Sequence, residues 1–198
     1  MQRIEALDEG LFWWINSHHN TTLDWIMWSF SAKWSWVIVI LAVYLFVTLL
    51  KDRKNWFWVL VGIGLCFLLA DQISNNAIKD GVMRLRPCHA LENVHMFREG
   101  RGGQYGFVSS HAANVFAIVM FLSLMYGGKQ RDGSRYRSVL LPYLLVVWAV
   151  IVCYSRAYLG KHYPGDLICG ALLGLGVGAV VYFAISKIKS KISSKSSV

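Results

Sequence analysis

Five apolar segments, at roughly 34–50, 55–78, 110–127, 138–155 and 165–186, constrain this chain more than any other feature. Seventeen residues of α-helix, the length of the first segment, rise about 26 Å, against a bilayer hydrocarbon core of about 30 Å. Inside lipid the backbone must satisfy its own hydrogen bonds, and repeated apolar runs of this length do so as helices. The expected fold is all-α. It is an integral membrane helical bundle of five transmembrane helices, or six if the N-terminal segment also crosses. The chain reads as one membrane-embedded domain over 1–198, with a bundle over 33–186 and a basic tail over 187–198.

Residues 1–32 fit this scheme differently. Two aromatic stretches, Leu11 to Ile15 and Trp25 to Phe30, are interrupted by His18, His19, Asn20 and Asp24. That pattern suits two amphipathic helices at the membrane interface. The first span can also begin earlier, near Leu23, with Lys33 snorkelling or marking a break. The acidic start of the chain is unlike the basic end of a signal peptide, so no cleaved leader is expected.

Only 16% of the residues are charged, yet the net charge is +9. The aromatics lie within apolar runs rather than among basic clusters, so no nucleic-acid partner is expected. Positive-inside topology and lipid phosphate account better for the charge. Lys51, Arg53 and Lys54, then Lys129, Arg131, Arg135 and Arg137, then Lys187, Lys189, Lys191 and Lys195 are eleven of the 20 basic residues. All fall on one side of a five-span model, the cytoplasmic side. The other side also carries positive charge, which points to a functional load there.

That other side gathers the chemistry. Lys79 and Arg86 follow the second span, Ser109, Ser110 and His111 open the third, Arg156 closes the fourth, and His162 and Asp166 open the fifth. Three fixed cations can neutralise a phosphoryl group whose charge spreads over several oxygens. A helix start at Ser109–His111 offers free N–H groups and a positive dipole end to an anion. Pro164 suits the first turn of the last helix. His162 and Asp166 are four apart and can meet across one turn. The remaining histidines, His18, His19, His89 and His95, read as interfacial. No Cys-x-x-Cys or helical His/His spacing appears, so neither a metal nor a cofactor is expected; Cys66, Cys88, Cys153 and Cys169 read as packed thiols.

The pattern Lys-x6-Arg-Pro, then Ser-x-His, then Ser-Arg-x5-His-x3-Asp resembles the type 2 phosphatidic acid phosphatase superfamily, which includes integral membrane lipid phosphate phosphatases. The first motif is matched from Lys79 to Pro87 and the third from Ser155 to Asp166. The second departs: the family's Pro-Ser-Gly-His is Val108-Ser109-Ser110-His111 here, so Ser110 stands where glycine lets backbone approach phosphate. The resemblance implies that His162 attacks phosphorus, Asp166 orients it and His111 serves as acid and then base. Lys79, Arg86 and Arg156 would clamp the phosphoryl oxygens with Ser109, Ser110 and backbone N–H groups, and no metal would be needed.

The implied substrate is a lipid phosphate: undecaprenyl diphosphate, phosphatidylglycerol phosphate, phosphatidic acid or a lipid A phosphate. The implied location is the bacterial inner membrane, with the site on the periplasmic or extracellular side. The competing reading is a non-catalytic protein that binds or transports anionic lipids; a haloperoxidase is a third. Arg84, Arg98 and Arg101 can extend the anion site or be solvated loop charges. Asp71, Asn75 and Lys79, spaced by four, share one face of the second span. Asp71 is expected to hold Lys79, Arg84 or another basic group, or to pack between helices. Gly170, Gly174 and Gly178 form a small-residue face that serves either packing within the bundle or a homodimer.

Overall fold

The computed structural model describes residues 2–45, 55–126 and 140–195. The basic connections carrying Lys51 to Lys54 and Lys129 to Arg137 lie outside the described residues, as do the end of the first expected span and the start of the fourth.

The described chain is helical and carries only an isolated bridge between Leu85 and Tyr105. Its helices are α1 (Gln2–Ser17), α2 (Thr21–Ser31), α3 (Lys33–Leu45), α4 (Trp56–Val82), α5 (Pro87–Ala90), α6 (Ser110–Tyr126), α7 (Leu140–Tyr158) and α8 (Pro164–Lys195). Three of them, α4, α7 and α8, are long and apolar enough to cross a membrane. The pair α2 and α3, bent by 59° at Ala32, qualifies as a fourth. The break foreseen near Lys33 is therefore real.

The outward faces carry Leu41, Phe57, Leu60, Leu144, Leu172 and Phe183, all exposed. A water-facing surface would not keep so continuous an apolar cover, whereas lipid accepts it. The protein is thus an all-helical integral membrane protein.

At 17 residues α6 is shorter, and it is the central post of the bundle. It packs on α4, α7 and α8. Small residues make that possible. A Cβ at Gly170, Gly174 or Gly178 would stand 2.5, 2.3 or 2.3 Å from the carbonyl oxygens of Ser109, Ala113 and Ala117. The glycine face of α8 is therefore filled by α6 of the same chain. Of the two uses open to that face, the structure supports packing within the bundle.

The N-terminal helices are more than interfacial cover. Asp8, Phe12 and Asn16, spaced by four, form the buried stripe of α1, while Ile4, Leu7, Leu11 and Trp14 face outward. Asn16 is fully engaged: its Nδ2 donates to the carbonyls of His95 (3.0 Å) and Tyr158 (2.8 Å), and its Oδ1 accepts from His95 N (2.9 Å). Asn20 caps α2 through Leu23 N at 2.9 Å. Buried Asp24 on α2 then accepts from Tyr158 Oη at 2.8 Å and faces His95 Nε2 at 2.7 Å. His95 in turn stacks on His19 with ring centroids 3.8 Å apart.

Candidate active site

Four helix ends converge at one end of the bundle. The last turns of α4 form a π-helical stretch, Ile73–Lys79, a distortion often found at functional sites. Asp71, Asn75 and Lys79 all line the same cavity. Lys79 Nζ donates to Asn75 Oδ1 (2.6 Å) and to Ser110 Oγ (2.7 Å). Ser110 Oγ also donates to Asn75 Oδ1 (2.9 Å) and accepts from Ser74 Oγ (2.9 Å). One hydroxyl thus uses its donor and both lone pairs to set the lysine. Asp71 makes no ion pair within 4 Å among the described residues, and Arg84 points elsewhere. The direct bonds to Lys79 come from Asn75 and Ser110, and the Asp71 carboxylate acts on the lysine only through its charge, from beyond 4 Å.

After α4 the chain turns through Met83 in the left-handed region (φ 51°). Residues 84–86 then run beside 104–106, with Arg86 N bonded to Gln104 O at 3.1 Å and Gly106 N to Arg84 O at 2.8 Å. This pairing presents Arg86, whose Nε donates to Tyr105 O at 3.1 Å. Pro87 follows at the first position of α5, where a missing N–H costs nothing.

Arg156 ends α7, 5% exposed. Its Nη1 meets Ser31 Oγ and lies 3.1 Å from Glu99 Oε2, while its Nε has no partner among the described residues. Glu99 also lies 3.8 Å from Lys161 Nζ. Sequence reasoning missed Glu99, which lies outside the motifs and 57 residues from Arg156, and Lys161, which occupies one of the unspecified positions within the third motif.

His162 and Asp166 frame the start of α8. Tyr163 is the N-cap and Pro164 the first helical residue. Asp166, at the third position, reaches back to Tyr163 N (3.1 Å), which is half of a capping box. Its Oδ2 lies 3.6 Å from His162 Nδ1, just beyond hydrogen-bond length, and its Oδ1 accepts from Arg84 Nη1 at 2.8 Å. Asp8 supplies a second carboxylate, accepting from Gly165 N (2.6 Å) and Arg84 Nη2 (2.7 Å). Both carboxylates sit at the positive end of the helix dipole. Asp8 is the other residue that sequence reading overlooked. Its signal, an acid in register with Phe12 and Asn16, is weak without the fold.

Burial, with Arg156, Arg86 and Lys79 around it, pushes the His162 imidazole well below the usual 6.5. Its neutral form is the resting one. Burial also lowers Arg86 and Lys161, whereas for Arg84 the two carboxylates outweigh burial and raise it.

The cavity holds about 570 Å³ and is lined by Lys79, Arg86, Ser110, His111, Arg156 and His162 together with Asp71, Asn75 and Asn114. Trp36, Val37, Ile40 and Phe67 form an apolar wall. Ser109 is not among the lining residues; it is the N-cap of α6, with Ala112 N 3.5 Å from its Oγ and its own N donating to Asp166 O at 3.0 Å. Arg84 is committed to Asp8 and Asp166, and Arg98 lies over the rings of Trp25 (4.6 Å) and Trp28 (5.1 Å). Neither of these arginines extends the anion site.

The architecture defines a class: a helical integral membrane protein with a cation-lined, histidine-bearing pocket at one end. A model of the PAP2 superfamily matches residues 55–190. The chain is 34% identical over 204 residues to a lipid A 4'-phosphatase of Bacteroides thetaiotaomicron, covering 98% of this chain and 84% of that one. It is 32% identical over 187 residues to a lipid A 4'-phosphatase of Porphyromonas gingivalis, covering 92% and 74%. Among solved structures, the PAP2-type phosphatidylglycerolphosphate phosphatase of Bacillus subtilis shares its fold (TM-score 0.66, 19% identity, 97% of this chain and 89% of that). LpxE of Aquifex aeolicus does so as well (TM-score 0.62, 22% identity, 88% and 94%). The chain belongs to the PAP2 superfamily, and it is a membrane phosphatase of that superfamily.

Proposed function

We propose that this chain hydrolyses the phosphate of a lipid A-type glycolipid through a phosphohistidine on His162, without a metal. The observation that carries the reading is the convergence on one cavity of Lys79, Arg86, Arg156, His111 and His162, with Asp166 behind His162. Substrate choice follows the relatives that span most of this chain, both lipid A 4'-phosphatases. Undecaprenyl diphosphate, phosphatidylglycerol phosphate and phosphatidic acid are the comparison substrates.

In the proposed reaction Nδ1 of His162 faces Asp166, so Nε2 attacks phosphorus. The N–P bond forms as the P–O bond to the lipid alcohol breaks, and His111 gives its proton to the departing oxygen. Water then attacks phosphorus, His111 takes its proton, the N–P bond breaks and inorganic phosphate leaves. Lys79, Arg86 and Arg156 neutralise the equatorial oxygens in both steps, which is the charge work a metal does elsewhere. The first-turn N–H groups of α6 add donors. Trp36, Val37, Ile40 and Phe67 provide the side along which acyl chains lie.

The Lys187 to Lys195 end of α8 lies opposite the site. In the proposed orientation, supported by the positive-inside rule, that end is cytoplasmic and the site opens on the periplasmic face of the inner membrane.

Purified protein in micelles, with EDTA present, is expected to release phosphate from a lipid A phosphate. His162→Ala is expected to lose at least ~10³-fold in kcat. Normal turnover by His162→Ala refutes the nucleophile, and turnover abolished by EDTA refutes the metal-free reaction.

A further inference from the structure

Below the cations the same cavity carries polar groups that the phosphoryl reaction does not use. Asn114 is 4% exposed and among the described residues its Oδ1 has no hydrogen-bond partner. Trp36 is 8% exposed and its Nε1–H has none among them either. Both line the cavity. Asp71 lines it too, and among the described residues its carboxylate makes no hydrogen bond and no ion pair within 4 Å.

Their depth follows from the helices. α6 starts at the site, so Asn114, three residues beyond His111, lies roughly 4–5 Å further into the bundle. α4 ends at the site, so Asp71 lies roughly 12 Å back from Lys79 along its helix. Trp36 crosses edge-on to His111, with ring centroids 5.3 Å apart, which puts the indole beside the proposed leaving-group acid. A buried polar group left without a partner costs about 1–3 kcal/mol. Membrane bundles keep such groups facing an interior that uses them.

We infer that Trp36, Asn114 and Asp71 form a subsite for the leaving alcohol, selecting one that carries both hydrogen-bond donors and acceptors beside its phosphate. The inference rests on the phosphatase reading. Trp36 Nε1–H requires an acceptor oxygen on the ligand, whereas Asn114 Oδ1 and the Asp71 carboxylate require N–H or O–H donors. An N-acylated amino sugar offers both kinds. A glycerol diester offers carbonyl acceptors alone, and a polyprenyl chain offers neither. A site with unmet polar groups rejects ligands that cannot fill them far more strongly than an apolar pocket can.

The test compares two probes in the same micelles: a synthetic N-acylated glucosamine lipid bearing one phosphate, and a polyprenyl monophosphate. Full-length wild type, Trp36→Phe and Asn114→Leu are assayed for phosphate release on each. The readout is the ratio of kcat/KM on the two probes within one preparation, which does not depend on the folded fraction. Wild type is expected to favour the glycolipid, and each variant to reduce that ratio about tenfold. An unchanged ratio in both variants overturns the subsite and leaves the phosphatase reading standing. Release from neither probe by wild type overturns the phosphatase reading and the subsite with it.

Discussion

Lys79 Nζ and Ser110 Oγ stand 2.7 Å apart, and that bond ties the end of α4 to the start of α6. Ser110 occupies the position where the family's motif has glycine. The structure gives its hydroxyl a use, because it bonds Lys79, Asn75 and Ser74 at once. Ser110→Ala is expected to cost about 1–2 kcal/mol of stability. It is also expected to lower kcat/KM about tenfold, mainly through a lysine that is less well held. Thermal unfolding and steady-state phosphate release check the two parts separately.

Arg84 bridges Asp8 and Asp166 at 2.7 and 2.8 Å. Replacing it leaves two carboxylates of low exposure facing each other at one helix start. Arg84→Met is expected to destabilise the protein by about 3 kcal/mol. Asp8→Asn, which keeps a weaker acceptor for Gly165 N, is expected to cost about 1–2 kcal/mol. A double-mutant cycle in detergent measures the coupling; an additive result would mean that the two residues act independently.

The glycines of α8 differ sharply in what surrounds them. Gly174→Ala puts a methyl 2.3 Å from the Ala113 carbonyl oxygen, and backbone cannot step aside cheaply. A loss of about 2–3 kcal/mol is expected. At Gly176 nothing lies within 4 Å, so Gly176→Ala is expected to stabilise the helix by up to about 1 kcal/mol. Melting temperatures of the two variants should move in opposite directions.

His162 is held well below 6.5, so the unfolded chain binds a proton at mildly acid pH that the folded chain refuses. Stability from this group is complete above about pH 6.5 and is lost as pH falls toward the folded value. The melting temperature is expected to drop between about pH 7 and 5, and His162→Gln should flatten that slope. An equally steep slope in the variant would show that other groups carry it.

The helical class and the cluster at one membrane edge were legible in the sequence. Run length and spacing are local, and a bilayer leaves few alternatives for apolar runs. Asn75 and Lys79 on one face, Pro164 opening α8 and Asp166 one turn from His162 follow from helix periodicity. Asp8, Glu99 and the Asp24–His95–Tyr158 group were not legible. Each is a single polar residue whose partner is distant in the chain, with no periodic pattern to announce it.

By itself the sequence determined that the chain is a membrane-embedded helical bundle, that its reactive residues share one end and which family pattern they follow. Tertiary structure decided which residues face each other. It packed the glycine stripe of α8 on α6, bonded Lys79 to Asn75 and Ser110, and committed Arg84 to Asp8 and Asp166. The reason is physical. Helix formation depends on neighbours a few residues apart, whereas pairing of buried charges depends on which helices pack together, and steric fit between whole faces settles that.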